Sequence, residues 1–183
     1  MDSRLILLPN AVLGDSYRID HAVGSGGFGI TYAAEDTNLG CMVAIKEYYP
    51  EQFGARDASS MRVRPKSDLQ RETFEWGKAR FLQEARTLAR FRHPTIVRVA
   101  RVFEALGTAY MVMDFEHGLP LESWLQRLKR PPTQQELDQI VRPVLDALEI
   151  MHASNVLHRD IAPDNIIMRT NGTPVLLDFG AAR

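Results

Sequence analysis

A single cysteine, Cys41, stands among 183 residues. That excludes an internal disulfide framework and a four-cysteine zinc site, and it fits a reducing compartment. Long apolar runs are missing too. The run Leu5-Ile6-Leu7-Leu8 stops at Pro9, shorter than the core of a secretory signal, and no stretch approaches a membrane span. The expectation is a soluble, cytoplasmic chain with no membrane segment. Nor does one sign of charge dominate: 22 Lys and Arg face 23 Asp and Glu, a net charge of −1, so no global field points to nucleic acid or an anionic membrane. Any charge-driven function is local. His21, His93, His117 and His152 are scattered without metal-ligand spacing, and internal repeats and low-complexity tracts are absent.

What is present is an ordinary globular composition, 45% hydrophobic and 25% charged, enough apolar material for a real core. Tyr17 to Asp36 and Cys41 to Tyr49 are β-rich runs joined by the turn residues Asp36-Thr37-Asn38-Leu39-Gly40, so the first fifty residues read as antiparallel strands. Asp68 to Phe91 reads as a helix, with Phe74, Phe81, Leu82, Ala85, Leu88 and Ala89 at helical spacing and His93-Pro94 as its stop. Ile96 to Glu104 and Ala109 to Phe115 are further strands about Gly107. Leu121 to Lys129 is a short helix. Thr133-Gln134-Gln135-Glu136 has the capping-box pattern and opens a helix through His152, with Leu137, Ile140, Val144, Leu148 and Met151 on its face and Pro143 bending it. Val156 to Met168 and Pro174 to Phe179 read as short apolar strands around polar turns. The order of elements is α+β, not a regular alternation of parallel units.

Four motifs carry chemistry. Gly24-Ser25-Gly26-Gly27-Phe28-Gly29 is a G-x-G-x-x-G pattern, whose missing side chains let backbone amides approach phosphate oxygens. A dinucleotide fingerprint needs a helix to open at this loop, but Ile30-Thr31-Tyr32 is β-friendly, so the loop reads as a glycine-rich hairpin. A Walker loop is absent, because the one Gly-Lys pair, Gly77-Lys78, is followed by Ala79. One strand later comes Val43-Ala44-Ile45-Lys46, a cation at the end of an apolar strand, suited to neutralising phosphates. His158-Arg159-Asp160-Ile161-Ala162-Pro163-Asp164-Asn165 sets a carboxylate five residues before a carboxamide, and Asp178-Phe179-Gly180 adds a second carboxylate. Phosphoryl transfer needs this inventory: oxygen ligands for Mg²⁺, a carboxylate facing the attacking hydroxyl, and cations along the phosphates.

In this order the motifs resemble those of eukaryotic-like protein kinases from about Tyr17 onward, and Gly24 to Tyr32 looks like the bacterial serine/threonine branch. The resemblance implies a kinase-like α+β fold: a leader over 1–16, an antiparallel β small lobe with one long helix and the hinge over 17–116, and a truncated, mainly helical large lobe over 117–183. It implies ATP and Mg²⁺ as cofactors, with Mn²⁺ as the alternative ion, and a protein hydroxyl as acceptor. By the same resemblance Gly24, Gly26 and Gly29 cover the nucleotide with Phe28 at the tip, and Lys46 binds the α- and β-phosphates and pairs with Glu84. Asp160 is the catalytic base, and Asn165 and Asp178 hold the metal. Met113 is the gatekeeper, backbone groups of Asp114 and Glu116 face adenine, and Val23, Ala44 and Ile167 sandwich it. The apolar neighbours Phe81, Leu82, Ala85, Leu88 and Ala89 independently put Glu84 at the buried edge of its helix, where a cationic partner makes physical sense.

Three features depart from that family. Ala162 stands where serine/threonine kinases usually carry a lysine for the γ-phosphate, which leaves one cation fewer. The interval from Lys46 to Glu84 is long, with an insert over 48–71 that contains Arg56, Arg62, Arg64, Lys66 and Arg71 and reads as a solvated loop in preference to a docking surface. The sequence stops shortly after Asp178-Phe179-Gly180, so the family's later large-lobe helices are expected to be absent from it, as in a fragment of a longer kinase or a reduced one. The alternative function is therefore a nucleotide-binding pseudokinase or regulatory module with little turnover. The uncovered apolar face of the 133–152 helix is expected to self-associate or to accept a partner that completes the lobe.

Overall fold

The computed structural model describes residues 6–27 and 29–177. These form two compact units, one taking the chain up to Arg86 together with Val99–Phe115, the other Thr87–Arg98 together with Glu116 onward.

The first unit is built on a six-stranded antiparallel sheet. Its strands are β1 (Val12–Leu13), β2 (Tyr17–Gly26), β3 (Gly29–Asp36), β4 (Cys41–Tyr48), β7 (Val99–Ala105) and β8 (Thr108–Asp114), in the order β1-β2-β3-β4-β8-β7. The turns follow from sequence. Asp36 Oδ1 accepts from the amides of Asn38 and Leu39 at 3.0 and 3.1 Å, and Gly40 takes the left-handed conformation that closes the β3–β4 hairpin. Leu106 and Gly107, at φ 47° and 75°, make the two-residue turn between β7 and β8 whose twist matches paired strands. Strand β8 is buried along its length up to Asp114, as a central strand covered on both faces should be.

Helix α1 (Asp68–Leu88) lays Phe74, Phe81, Ala85 and Leu88 inward and leaves Leu69 and Trp76 exposed. It ends three residues before the expected Phe91. Arg90 and Phe91 instead bond back to Thr87 and Leu88 in a tightened last turn, and Pro94 then disfavours helix at His93. Strand β7 likewise starts at Val99, not Ile96; the backbone at Ile96 bridges to Leu176 within the second unit.

Two expectations about the flanking segments need correction. Among the described residues before Tyr17, Leu7 and Leu13 join the core, each only 1% exposed. The insert over 48–71 is not a solvated loop. It holds a hairpin, β5 (Gly54–Arg56) and β6 (Val63–Pro65), and it buries Tyr48, Tyr49 and Val63. The Val63 amide donates to the Leu106 carbonyl, and a side chain at Gly107 would strike the Val63 carbonyl, so the hairpin is docked on the β7–β8 turn.

The second unit holds α2 (Leu121–Leu128), α3 (Gln134–Ala153), a 3₁₀ turn over Pro163–Asn165, and a three-stranded sheet. That sheet is formed by β9 (Gly118–Pro120), β10 (Ile166–Arg169) and β11 (Pro174–Leu176) in the order β11-β10-β9. The capping box closes as read: the Glu136 amide donates to Thr133 Oγ1, and the Thr133 amide donates to Glu136 Oε2 at 2.7 Å. Arg130 grips the same carboxylate through both Nη atoms, and the Glu136 carboxyl titrates low, at about 2, chiefly through that bond and then the Thr133 amide. Helix α3 buries Ile140, Val144, Ala147 and Met151. Of the face read from spacing only Leu137 is exposed, while Ile140, Val144 and Met151 are covered; Val141, Leu145 and Ile150, which lie outside that face, are exposed as well. Residues 156–165 are not a strand, because Arg159 is left-handed at φ 65° and the 3₁₀ turn opens at Pro163. Among the described residues no helix is long and apolar enough to cross a membrane.

Candidate active site

In the first unit the glycine-rich segment is the end of the β2–β3 hairpin, where Gly24 pairs with Thr31 and Gly26 with Gly29. A side chain built on Gly24, Gly26 or Gly27 would meet nothing within 4 Å. The protein's own packing therefore does not require glycine at these positions, and bare backbone there leaves room for a ligand. Gly29 differs. A Cβ on it would lie 2.6 Å from the Glu47 carbonyl and 3.7 Å from Lys46 Cε, so its closeness to β4 lays the glycine hairpin against the Lys46 stem.

Strand pairing places the expected adenine and phosphate contacts together. Ala44 lies opposite Ala33 and Met113, and Lys46 lies opposite Thr31 and Met111, so these six residues share one face of the sheet. Met113 is buried, Ala44 and Lys46 are half-buried, and Val23 is exposed on β2. Asp114 ends β8, and the chain passes from the first unit to the second between Phe115 and Glu116. Tyr48, two residues after Lys46 and hence on the same face, packs its ring on Phe74 and Phe81 at centroid distances of 5.4 and 5.9 Å. Helix α1 is thereby held on the Lys46 face. Glu84 is half-buried on the flank of α1 that carries Phe81 and Ala85, with Oε1 shielded from solvent.

In the second unit His158 is 1% exposed. Its Nδ1 accepts from the Asp160 amide at 3.3 Å, which leaves the proton on Nε2, 3.1 Å from the Leu177 carbonyl. The histidine thus shapes the loop that presents Asp160, whose side chain is exposed. Asn165 Nδ2 donates to both Asp160 Oδ2 (2.9 Å) and the Asp160 carbonyl (3.1 Å). Its amide oxygen, the atom a hard cation takes, is turned away from those bonds. The Leu177 amide donates to the Asn165 carbonyl at 2.8 Å, so the chain is fastened at Asn165 one residue before Asp178. Asp178 and Phe28 themselves lie outside the described residues. Ile167 is half-buried on β10, opposite Pro120 and Val175. The Glu116 carboxylate takes a two-pronged bond from Arg169 Nε and Nη2 (2.5 and 2.7 Å), and Arg169 Nη1 continues to the Pro94 carbonyl. That clamp fixes the backbone at the Glu116 position. Asp164 is exposed in the 3₁₀ turn, and Ala162 brings no polar group.

Sequence reading missed a buried cluster behind Lys46. Glu47, 0% exposed, accepts from Tyr110 Oη (2.6 Å), Tyr32 Oη (2.8 Å) and Arg56 Nη2 (2.5 Å). Period-2 alternation after Val43 and Ile45 puts Glu47 on a buried face, a signal available in sequence; nothing comparable marks Arg56.

The family model described as "Protein kinase domain" matches residues 17–183. The chain belongs to the protein kinase domain family. It is 31% identical over 172 residues to the "Probable serine/threonine-protein kinase PknB" of Lactococcus lactis subsp. lactis, covering 94% of this chain and 24% of that protein. It is 34% identical over 176 residues to "Serine/threonine-protein kinase PknA" of Mycobacterium tuberculosis, covering 93% and 36%. Among solved structures, "PpkA-294 apo form" superposes with a TM-score of 0.89 at 36% identity, over 96% of this chain and 62% of that one. The chain thus spans about a fifth to just over a third of the length of the curated relatives it matches.

Proposed function

We propose that this chain carries the nucleotide-binding and phosphoryl-transfer residues of a serine/threonine protein kinase that uses ATP with Mg²⁺. The observation that carries the reading is the Asp160–Asn165 pair, a solvent-facing carboxylate oriented by a carboxamide whose oxygen remains available to a cation. Gly24 and Gly26 leave backbone open to the phosphates, Lys46 neutralises the α- and β-phosphates, and Glu84 on α1 orients Lys46. Val23, Ala44 and Ile167 hold the base, with Met113 behind it and the backbone at Asp114 and Glu116 at its edge. Asn165 and Asp178 are the residues that would hold Mg²⁺, and the ion's chemistry there is to offset charge on the phosphate oxygens. Asp160 orients the acceptor hydroxyl and takes its proton as oxygen bonds to the γ-phosphorus and ADP leaves.

Ala162 favours a second reading, nucleotide binding with little turnover, because one phosphate-facing cation is missing. Transfer of labelled phosphate from ATP to a generic acceptor protein separates the two. The kinase reading expects transfer by the chain and loss of about a hundredfold or more in Asp160→Asn; no transfer by the wild type, or full transfer by Asp160→Asn, overturns it. The exposed Leu137, Val141, Leu145 and Ile150 support self-association through α3. Light scattering across a dilution series decides this, and a concentration-independent monomer contradicts it.

A further inference from the structure

The Glu47–Arg56 pair is wholly enclosed, with neither side chain reaching solvent. Glu47 sits at a joint of the first unit. Its backbone carbonyl is the atom against which Gly29 closes the glycine hairpin, and its chain neighbour is Lys46. Its carboxylate is braced from three directions: Tyr32 on β3, the strand leaving the glycine hairpin; Tyr110 on β8; and Arg56 on β5. Arg56 is itself fastened. Nη1 donates to the Met61 carbonyl at 2.9 Å, and the guanidinium lies 5.1 Å from the centre of the Tyr49 ring. The Leu7 amide donates to Tyr32 Oη, so the N-terminal segment closes the cluster.

We propose that Glu47 and Arg56 are positioning residues for Lys46: the buried pair fixes the β4 backbone beside the glycine hairpin, so that a residue of the 48–71 segment sets where the Lys46 ammonium meets phosphate. Removing one partner would strand a buried charge, and the strand would relax to hydrate it. Because adjacent strand residues point to opposite faces, that relaxation turns Lys46 as well. The protonation states suit a fixed brace. Burial, then the Glu47 charge, raises the Tyr32 and Tyr110 phenols far above their ordinary range, so both remain donors. Burial, the largest single influence, would lower the Arg56 guanidinium, but the charge of Glu47, its hydrogen bond and the Tyr32 and Tyr110 phenols together outweigh it, and the net direction is upward.

The proposal rests on reading Lys46 as a phosphate ligand, and its test separates the two ideas. Calorimetry compares ATP with adenosine on the whole chain, since only ATP reports the phosphate contact. A variant that merely unfolds part of the population weakens both equally and leaves their ratio unchanged. Lys46→Ala is expected to abolish most of the ATP preference. Arg56→Met and Glu47→Gln are expected to lower it about three- to tenfold, a partial loss of one charge-assisted contact, with adenosine affinity held and Arg56→Lys restoring part of the effect. Should Arg56→Met fail to fold, Tyr110→Phe removes one brace without changing shape and should move the ratio the same way. If Lys46→Ala lowers the preference while Arg56→Met, Glu47→Gln and Tyr110→Phe leave it alone, the positioning role is wrong. If Lys46→Ala leaves it unchanged, the phosphate reading fails, and this inference with it.

Discussion

Gly77 lies in the interior of α1, where replacing glycine by alanine ordinarily stabilises a helix by about 1 kcal/mol. Here the sign should reverse. A methyl on Gly77 would sit 2.1 Å from Tyr48 Oη and 3.0 Å from Cζ. The phenol is the far end of a side chain, but it cannot swing away. Tyr48 is 4% exposed, its ring is held between Phe74 and Phe81, and its hydroxyl donates to the Phe74 carbonyl at 3.2 Å. Accommodating the methyl means overpacking, which costs about 1–3 kcal/mol, and loss of that hydrogen bond, about 1 kcal/mol more. Against the helix gain, Gly77→Ala should lose about 1–3 kcal/mol net. Chemical denaturation reads this as a lower midpoint at unchanged slope. In a Tyr48→Phe background the same substitution should cost about 1 kcal/mol less, because the offending oxygen is gone. A stabilised Gly77→Ala would refute the reasoning, and with it the view that close approach at Gly77 sets the seat of α1 on the Lys46 strand.

The glycines of the hairpin divide into two kinds. Gly26→Ala should leave the melting temperature of the free protein unchanged while weakening ATP, whereas Gly29→Ala, blocked by the Glu47 carbonyl, should lower both; melts with and without nucleotide distinguish them. Acid should act on α3 through Glu136. Its carboxyl lies at about 2 when folded against a reference of 4.5, so the unfolded chain takes the proton first. Its contribution is complete above about 4.5 and is lost as pH falls toward 2. Glu136→Gln should flatten that part of the stability–pH curve, and an unchanged curve would contradict the assignment.

Much of this architecture was legible because local and global signals agree. β-rich runs mark β2, β3, β4 and β8, the Asp36–Gly40 and Leu106–Gly107 turns carry their own chemistry, and Thr133 with Glu136 announces α3. The expected site residues of the sheet then fall on one face simply through antiparallel register. What stayed hidden depends on tertiary partners. Strands β5, β6 and β9 are three residues each, two of them containing proline, too short for any period to show. The loop over 156–165 has strand-like composition, but the buried His158 holds it by bonds to the Asp160 amide and the Leu177 carbonyl. Arg56 looked like one more exposed arginine of an insert because its carboxylate partner lies on another strand.

The central claim is that the glycine hairpin and Lys46 of the first unit together grip the phosphates of a metal-bound nucleotide. Calorimetric titration of the chain with a non-hydrolysable ATP analogue and Mg²⁺ tests it most directly. The account predicts saturable, Mg²⁺-dependent binding, weakened about tenfold or more in Lys46→Ala, as expected when a charged contact is lost. No heat at millimolar nucleotide, or equal affinity in Lys46→Ala, would contradict it.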